Sequence, residues 1–255
     1  MVESSPATLL KGTEVHIWTA DLDVDAEALS ILEGTLDRAE LARAARFHFQ
    51  IHRNRFIVGR AMLRGLLAEY AGLSPAQVEF AYGPAGKPVL ASMPASPIHF
   101  NLAHCENIAV AAFTREGVIG VDVERVRLLE DAEELVRRFF SPRESAAFTR
   151  LAPEQKPAAF FNLWTRKEAW LKACGEGITH SLHLVEVTFL PGEPAHLLRL
   201  PEHFGKSEAW KLRAFEAARG FVAAAALGPK SQEPTFRTWS AGFHSQSEMY
   251  ESKRC

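Results

Sequence analysis

The sequence predicts an α/β protein built from two similar halves. Three observations carry that prediction. One strand, then helices, then three strands follow one another; the same order begins again about 105 residues later; and 255 residues, 47% of them hydrophobic, are enough to bury a sizeable core. Identity between the halves is negligible, so the duplication rests on element order. The halves divide at 1–115 and 116–229, and 230–255 is left over.

Taken in chain order, TEVHIWTA (13–20) alternates as an edge or half-buried strand. Residues 37–49 and 53–72 read as helices. In the second, Phe56, Leu63, Leu66, Leu67 and Tyr70 share a face, and Gly72 is a natural stop. Strand candidates follow at 78–82, 97–102 and 108–113, the first two separated by the turn chemistry of GPAGKP (83–88). The second half opens on the strand VIGVDVE (118–124) and runs through helices at 131–140, 142–150 and 157–174. It closes with strands at 184–190, 209–216 and 220–227. Ser141, Pro142 and Glu144 form a capping box with proline at the first helical position. The stretch after Leu227 is polar, with scattered aromatics and no period, and reads as a tail or surface strap.

Composition narrows the setting. A net charge of −2 gives no global basic field for nucleic acid. Cys105, Cys174 and Cys255 are far apart, odd in number and without CxxC spacing, which fits a reducing compartment better than a disulfide framework or zinc site. The N-terminus lacks a basic region leading into an apolar run, and no window approaches the roughly 18 apolar residues of a membrane span. The expected location is the cytoplasm.

Two constellations point to chemistry. On a strand at 118–124, Ile119, Val121 and Val123 face one way and Gly120, Asp122 and Glu124 the other. Two carboxylates about 7 Å apart on one face repel unless a cation lies between them. A hard divalent ion such as Mg²⁺ would serve, and so would a solvated face with Glu124 paired to Arg125 or Arg127. The second is LWTRKEAWLK (163–172), where Glu168 lies about 40° from Trp164 and about 60° from Leu171 on a helical wheel. A carboxylate inside an apolar stripe must be paired, protonated or coordinating. An ion pair with Lys172 accounts for a surface position; a third metal carboxylate beside Asp122 and Glu124 accounts better for one among aromatic residues. His104 after its strand, Lys87 in the turn, Arg55 opening a helix, and Lys167 and Lys172 beside Glu168 would together suit a phosphate-rich ligand.

These pieces resemble the Sfp-type 4′-phosphopantetheinyl transferases. The matching elements, in the family's order, are GKP (86–88), FNLAH (100–104), GVDVE (120–124), FFSPRE (139–144) and WTRKEAWLKACGEG (164–177). The resemblance implies two pseudo-twofold-related halves, each a small, mostly antiparallel sheet packed with helices, with the ligand cleft between them. It implies transfer of 4′-phosphopantetheine from coenzyme A to a serine of an apo acyl or peptidyl carrier protein. Two fused halves that make their own cleft predict a monomer, and charge and hydropathy predict neither nucleic acid nor membrane as a partner. By motif position, Asp122, Glu124 and Glu168 would bind Mg²⁺, or Mn²⁺ in its place. Lys167 and Lys172 would contact the pyrophosphate, and Arg55, Lys87 and His104 the 3′-phosphorylated adenosine. Glu168, or a water held by it on the metal, would be the general base, with Lys172 offsetting phosphate charge. Arg53 is the near alternative to Arg55, and Arg43 and Arg46 are further basic candidates. Where the family commonly has serine before the histidine, this chain has Ala103. A non-catalytic coenzyme A or carrier-binding module of the same fold is the alternative reading.

Overall fold

The computed structural model describes residues 10–83, 88–91, 97–175 and 182–242. The first half runs β1 (Val15–Asp21), α1 (Ala26–Glu33), α2 (Arg38–Ala44), α3 (Gln50–Ala71), β2 (Phe80–Tyr82), β3 (Pro88–Leu90), β4 (His99–Cys105) and β5 (Ile108–Thr114). The second repeats that order with β6 (Ile119–Arg125), α4 (Ala132–Phe139), α5 (Pro142–Thr149), α6 (Lys156–Cys174), β7 (Glu186–Val187), β8 (Leu197–Arg199), β9 (Lys211–Ala218) and β10 (Phe221–Leu227). A last strand, β11 (Pro234–Trp239), follows. In each half the first long strand pairs with the last, and the last with the one before it, all antiparallel. The expected mixed α/β class, with small antiparallel sheets packed with helices, is what the chain adopts.

Strand alternation decides the layering. Trp18 and Ala20 of β1 point toward α1–α3, while Val15 and Ile17 point toward the other sheet. There they meet Val121 and Val123 of β6 and Ala223 and Ala225 of β10 in a core between the sheets. The second sheet turns its opposite face to α4–α6. The order through the molecule is therefore helices, sheet, sheet, helices. Local signals fix the helix ends: Gly72 ends α3 in the left-handed conformation at φ 68°, and Ser141 and Glu144 cap α5 reciprocally, as expected.

The C-terminal segment departs from the sequence expectation. Residues 234–239 form β11, parallel to β1 from Val15 opposite Pro234 to Ala20 opposite Trp239. β1 is thus interior rather than an edge, and the first sheet is completed by residues assigned to a tail. Trp239, 6% exposed, closes the first core, and Phe236 packs edge-on against Phe215. Residues 243–255 lie outside the described residues. The strand expected at 184–190 shrinks to β7, preceded by a 3₁₀ turn, and β3 and β8 were not anticipated.

β1 also carries a buried polar chain. Trp18 Nε1 donates to the Tyr70 hydroxyl at 2.8 Å, and that hydroxyl lies 2.7 Å from His16 Nδ1. Burial, and then the charge of Arg237, hold the His16 pKa down at about 4 against an opposing pull from Glu14. His16 is therefore neutral at pH 7, able to accept from Tyr70. A depressed folded pKa gives stability that is present above pH 6.5 and lost as pH falls through 4. Between pH 7 and pH 4 the unfolding free energy of the wild type, from urea denaturation, should fall by on the order of 2 kcal/mol more than that of His16→Gln. Parallel curves for the two would show that His16 is not the group responsible.

One glycine sets the distance between the second sheet and α6. A Cβ at Gly120 would lie 2.1 Å from the Ala169 carbonyl oxygen and 2.3 Å from the Ala173 nitrogen, both backbone atoms that cannot swing aside. Gly120→Ala should therefore destabilise the chain by about 3 kcal/mol or more. A loss below about 1 kcal/mol by urea denaturation would contradict this close approach.

Candidate active site

The close approach at Gly120 brings α6 against β6, and with it Glu168 and Lys172 to Asp122. Lys172 Nζ donates to Asp122 Oδ1 at 2.6 Å, and its charge also acts on Glu168. Asp122 and Glu168 are 6% and 2% exposed, and Asp122 Oδ2 and Glu168 Oε1 are buried with no hydrogen-bond partner among the described residues. Burial raises the Asp122 pKa to about 6, with Lys172 opposing and Glu124 adding to the rise. Burial, and next the charge of Asp122, raises Glu168 to about 7. Two buried carboxylates that repel each other and leave an oxygen apiece unsatisfied are a donor set for a hard divalent cation.

Glu124 stands slightly apart. It is about a quarter exposed, lies 3.6 Å from Arg127 and accepts from the Cys105 thiol at 3.4 Å. Among the described residues no three His, Cys, Asp or Glu side chains are arranged to hold a metal ion. The unpartnered oxygens of Asp122 and Glu168 fit a cation; Glu124 would have to leave Arg127 to join them.

A cavity of about 530 Å³ opens on the first half, between α2, α3 and β4. Arg43, Arg55, Arg60, Tyr82, Asn101 and His104 are among its walls. Arg55 grips Asp23 through two bonds of 2.7 and 2.8 Å, an arrangement a guanidinium also makes with phosphate. Arg60 lies 4.5 Å over the Phe80 ring and donates to the Tyr82 hydroxyl at 3.0 Å. The surrounding wall first, then Lys172, Arg55 and His52, hold the His104 pKa below 6.5, so at pH 7 it is a neutral donor rather than a cation. Asn101 on the cavity wall accepts from the Val121 N–H at 2.8 Å, next in sequence to Asp122, so the carboxylate group and the cavity lie side by side.

Basic cavity and carboxylate pair correspond to two adjoining family profiles. Residues 23–116 match a profile described as 4′-phosphopantetheinyl transferase, N-terminal, and residues 118–226 match the 4′-phosphopantetheinyl transferase superfamily. The 4′-phosphopantetheinyl transferase HetI of Nostoc sp. is 42% identical over 232 residues, covering 91% of this chain and 94% of that protein. The chain belongs to the 4′-phosphopantetheinyl transferase superfamily. The transferase psf-1 of Bacillus pumilus is 33% identical over 64% of this chain and 67% of its own. A 4′-phosphopantetheinyl transferase of Bacillus subtilis is 30% identical over 54% and 59% respectively.

In this transferase the sequence-derived candidates divide into three groups. Asp122, Glu168 and Lys172 come together, with Glu124 beside them, and Arg55 and His104 line the cavity. Arg53 instead pairs with Glu33, and Lys87 lies outside the described residues. Lys167 corrects the expectation of a phosphate contact. It is fully buried, ion-paired with Glu144, bonded to the Leu182 carbonyl at 2.8 Å, and 4.7 Å over the Phe140 ring. Glu144 in turn accepts from the backbone of Ser141 and of Val187, each at 3.0 Å, so the pair ties α5 and α6 to the chain that follows.

Sequence reasoning did not single out Arg60, Tyr82 or Asn101. Arg60 carried no signal because a lone arginine on an amphipathic helix reads as solvated, whereas here it is 7% exposed. Ala103, where the family commonly has serine, is 5% exposed and belongs to the core between the sheets. No helix among the described residues is long and apolar enough to cross a membrane.

Proposed function

We propose that this transferase moves 4′-phosphopantetheine from coenzyme A to a serine hydroxyl of an apo acyl or peptidyl carrier protein, as a cytoplasmic monomer. The observation that carries the reading is the pair of unpartnered carboxylate oxygens, Asp122 Oδ2 and Glu168 Oε1, beside Lys172 and next to an arginine-lined cavity. Such a cavity suits the phosphates of coenzyme A, and Arg43, Arg55 and the neutral His104 are the groups that would hold them. Asp122 and Glu168, joined by Glu124, would hold Mg²⁺, or Mn²⁺ in its place. A bound divalent cation neutralises charge on the pyrophosphate oxygens. The thiol of Cys105, which donates to Glu124, accords with a reducing compartment.

In the reaction the serine oxygen attacks the phosphorus on the pantetheine side of the pyrophosphate. An O–P bond forms there, the bond from that phosphorus to the bridging oxygen breaks, and adenosine 3′,5′-bisphosphate leaves with the electron pair. Phosphoryl transfer of this kind depends chiefly on alignment and charge stabilisation. Lys172 supplies positive charge near the transferred group. The serine proton goes to Glu168 or to a water that Glu168 holds.

Incubating an apo carrier with coenzyme A, Mg²⁺ and the protein, then weighing the intact carrier, tests the reading. A gain of one phosphopantetheine with one equivalent of adenosine 3′,5′-bisphosphate is expected. Unchanged mass across acyl and peptidyl carriers would sink it.

A further inference from the structure

Arg55 meets Asp23 fork to fork, Nε to Oδ1 at 2.7 Å and Nη2 to Oδ2 at 2.8 Å. Arg55 lines the cavity, whereas Asp23 is not among the described residues that do. The arginine side chain is 16% exposed and the aspartate 49%, so the carboxylate takes the guanidinium from the solvent side. With Nε and one edge of Nη2 engaged there, the Nη1 side of the fork is left for a ligand oxygen. Asp23 is itself held in place. Before it, Leu22 is buried against Gly59, one helical turn beyond Arg55 on α3, and its N–H donates to the Asn107 carbonyl at 2.7 Å. The Asp23 N–H donates to Asp21 Oδ1 at 2.9 Å, and the same oxygen accepts from the Asn107 side chain at 3.0 Å. Asp21 and Glu106 also act on Arg55 through their charge, but Asp21 is engaged by Asn107 and Glu106 by Arg125. Asp23 is the carboxylate that Arg55 bonds.

We infer that Asp23 is a positioning residue of the transferase: pinned through the turn between β4 and β5, it fixes the Arg55 guanidinium so that the remaining edge meets a phosphate of coenzyme A. The inference rests on the reading of the cavity as a coenzyme A site and of Arg55 as one of its phosphate-holding residues. An arginine that must be ordered on binding weakens the complex, and one already ordered by a partner on its far side does not. The Asp23 charge opposes a phosphate, but on a half-exposed side chain that repulsion is screened by water and salt, whereas the loss of order is not.

A double-mutant cycle read by calorimetric titration with coenzyme A isolates this role. Arg55→Ala should bind coenzyme A about 10- to 100-fold more weakly than the wild type. Asp23→Ala should lose about 3- to 10-fold, and nothing further when added to Arg55→Ala. A purely structural role for Asp23 would weaken binding equally in both backgrounds, and a carboxylate that blocks the phosphate would tighten binding when removed. Asp23→Asn, which keeps the shape of the side chain, should show a smaller loss of the same pattern, and is judged in the same way should Asp23→Ala fail to fold. Affinity equal to or tighter than wild type, or a loss that persists in the Arg55→Ala background, overturns the inference and leaves the ligand reading standing. Wild-type affinity in Arg55→Ala overturns the inference together with the part given to Arg55. Wild-type protein that does not bind coenzyme A overturns the ligand reading, and this inference with it.

Discussion

Glu168→Gln is expected to leave a folded protein that transfers phosphopantetheine about 10³-fold more slowly. The fold should survive because Glu168 Oε1 has no hydrogen-bond partner to lose, and the amide occupies nearly the same volume on α6. Activity should not survive, because the substitution removes both a proton acceptor and one of the charges proposed to hold the cation. Asp122→Ala should likewise abolish transfer, at a modest cost in stability. It removes one partner of Lys172, which is 29% exposed and can reach water. Steady-state rates on a carrier protein, read beside melting curves, check both. Near-normal rates in the two variants would mean that the carboxylate pair does not carry the chemistry.

Lys167→Ala should have the opposite signature. The lysine is fully exchanged from water for Glu144, the Leu182 carbonyl and the Phe140 ring, and removing it strands a carboxylate that is 3% exposed. Breaking a buried pair from one side costs about 3–5 kcal/mol, whereas replacing both partners with apolar groups costs far less. The double variant Glu144→Leu, Lys167→Met should recover part of the stability lost in Lys167→Ala, although Ser141 and Val187 lose their acceptor. Urea denaturation of the three proteins decides the matter. If Lys167→Ala keeps wild-type stability and only weakens coenzyme A binding, the buried assignment is wrong and the pyrophosphate contact returns.

Glu168 and Lys167 mark what was legible in the sequence and what was not. Alternation on β6 separated Val121 and Val123 from Asp122 without further information, because strand parity is a local property. The capping box at Ser141 and Glu144 was equally local. An apolar stripe on α6 does not by itself single out Glu168. α6 is buried around most of its circumference, so Thr165, Arg166 and Lys167 are hidden as well. Burial therefore does not distinguish a ligand-binding group from a satisfied one; partners do, and those come from distant segments. Arg166 is bonded to the carbonyls of Thr188 and Glu193, and Lys167 to Glu144, 23 residues earlier in the chain. Arg166 Nε also lacks a partner among the described residues, but its other guanidinium nitrogens are bonded, whereas Glu168 Oε1 is unpartnered beside the charge of Asp122.

Pairing over long range accounts for the other departures. β11 docks on β1 across more than two hundred residues, and the polar composition around it resembles a tail because only one short strand there needs to be apolar. Very short strands such as β3 and β8 leave too few residues for a period to show. The division of labour between a basic cavity on one half and carboxylates on the other was implied by the resemblance. The seam that joins them, with Gly120 and Asn101 on either side of it, was not.

Asp122 and Glu168 are proposed to hold the cation that coenzyme A needs. Electron paramagnetic resonance of added Mn²⁺, with coenzyme A present, tests it most directly. Wild-type protein should bind one ion, while Asp122→Ala and Glu168→Gln, folded by their melting curves, should leave it free. Undiminished Mn²⁺ binding in those two variants would contradict the account.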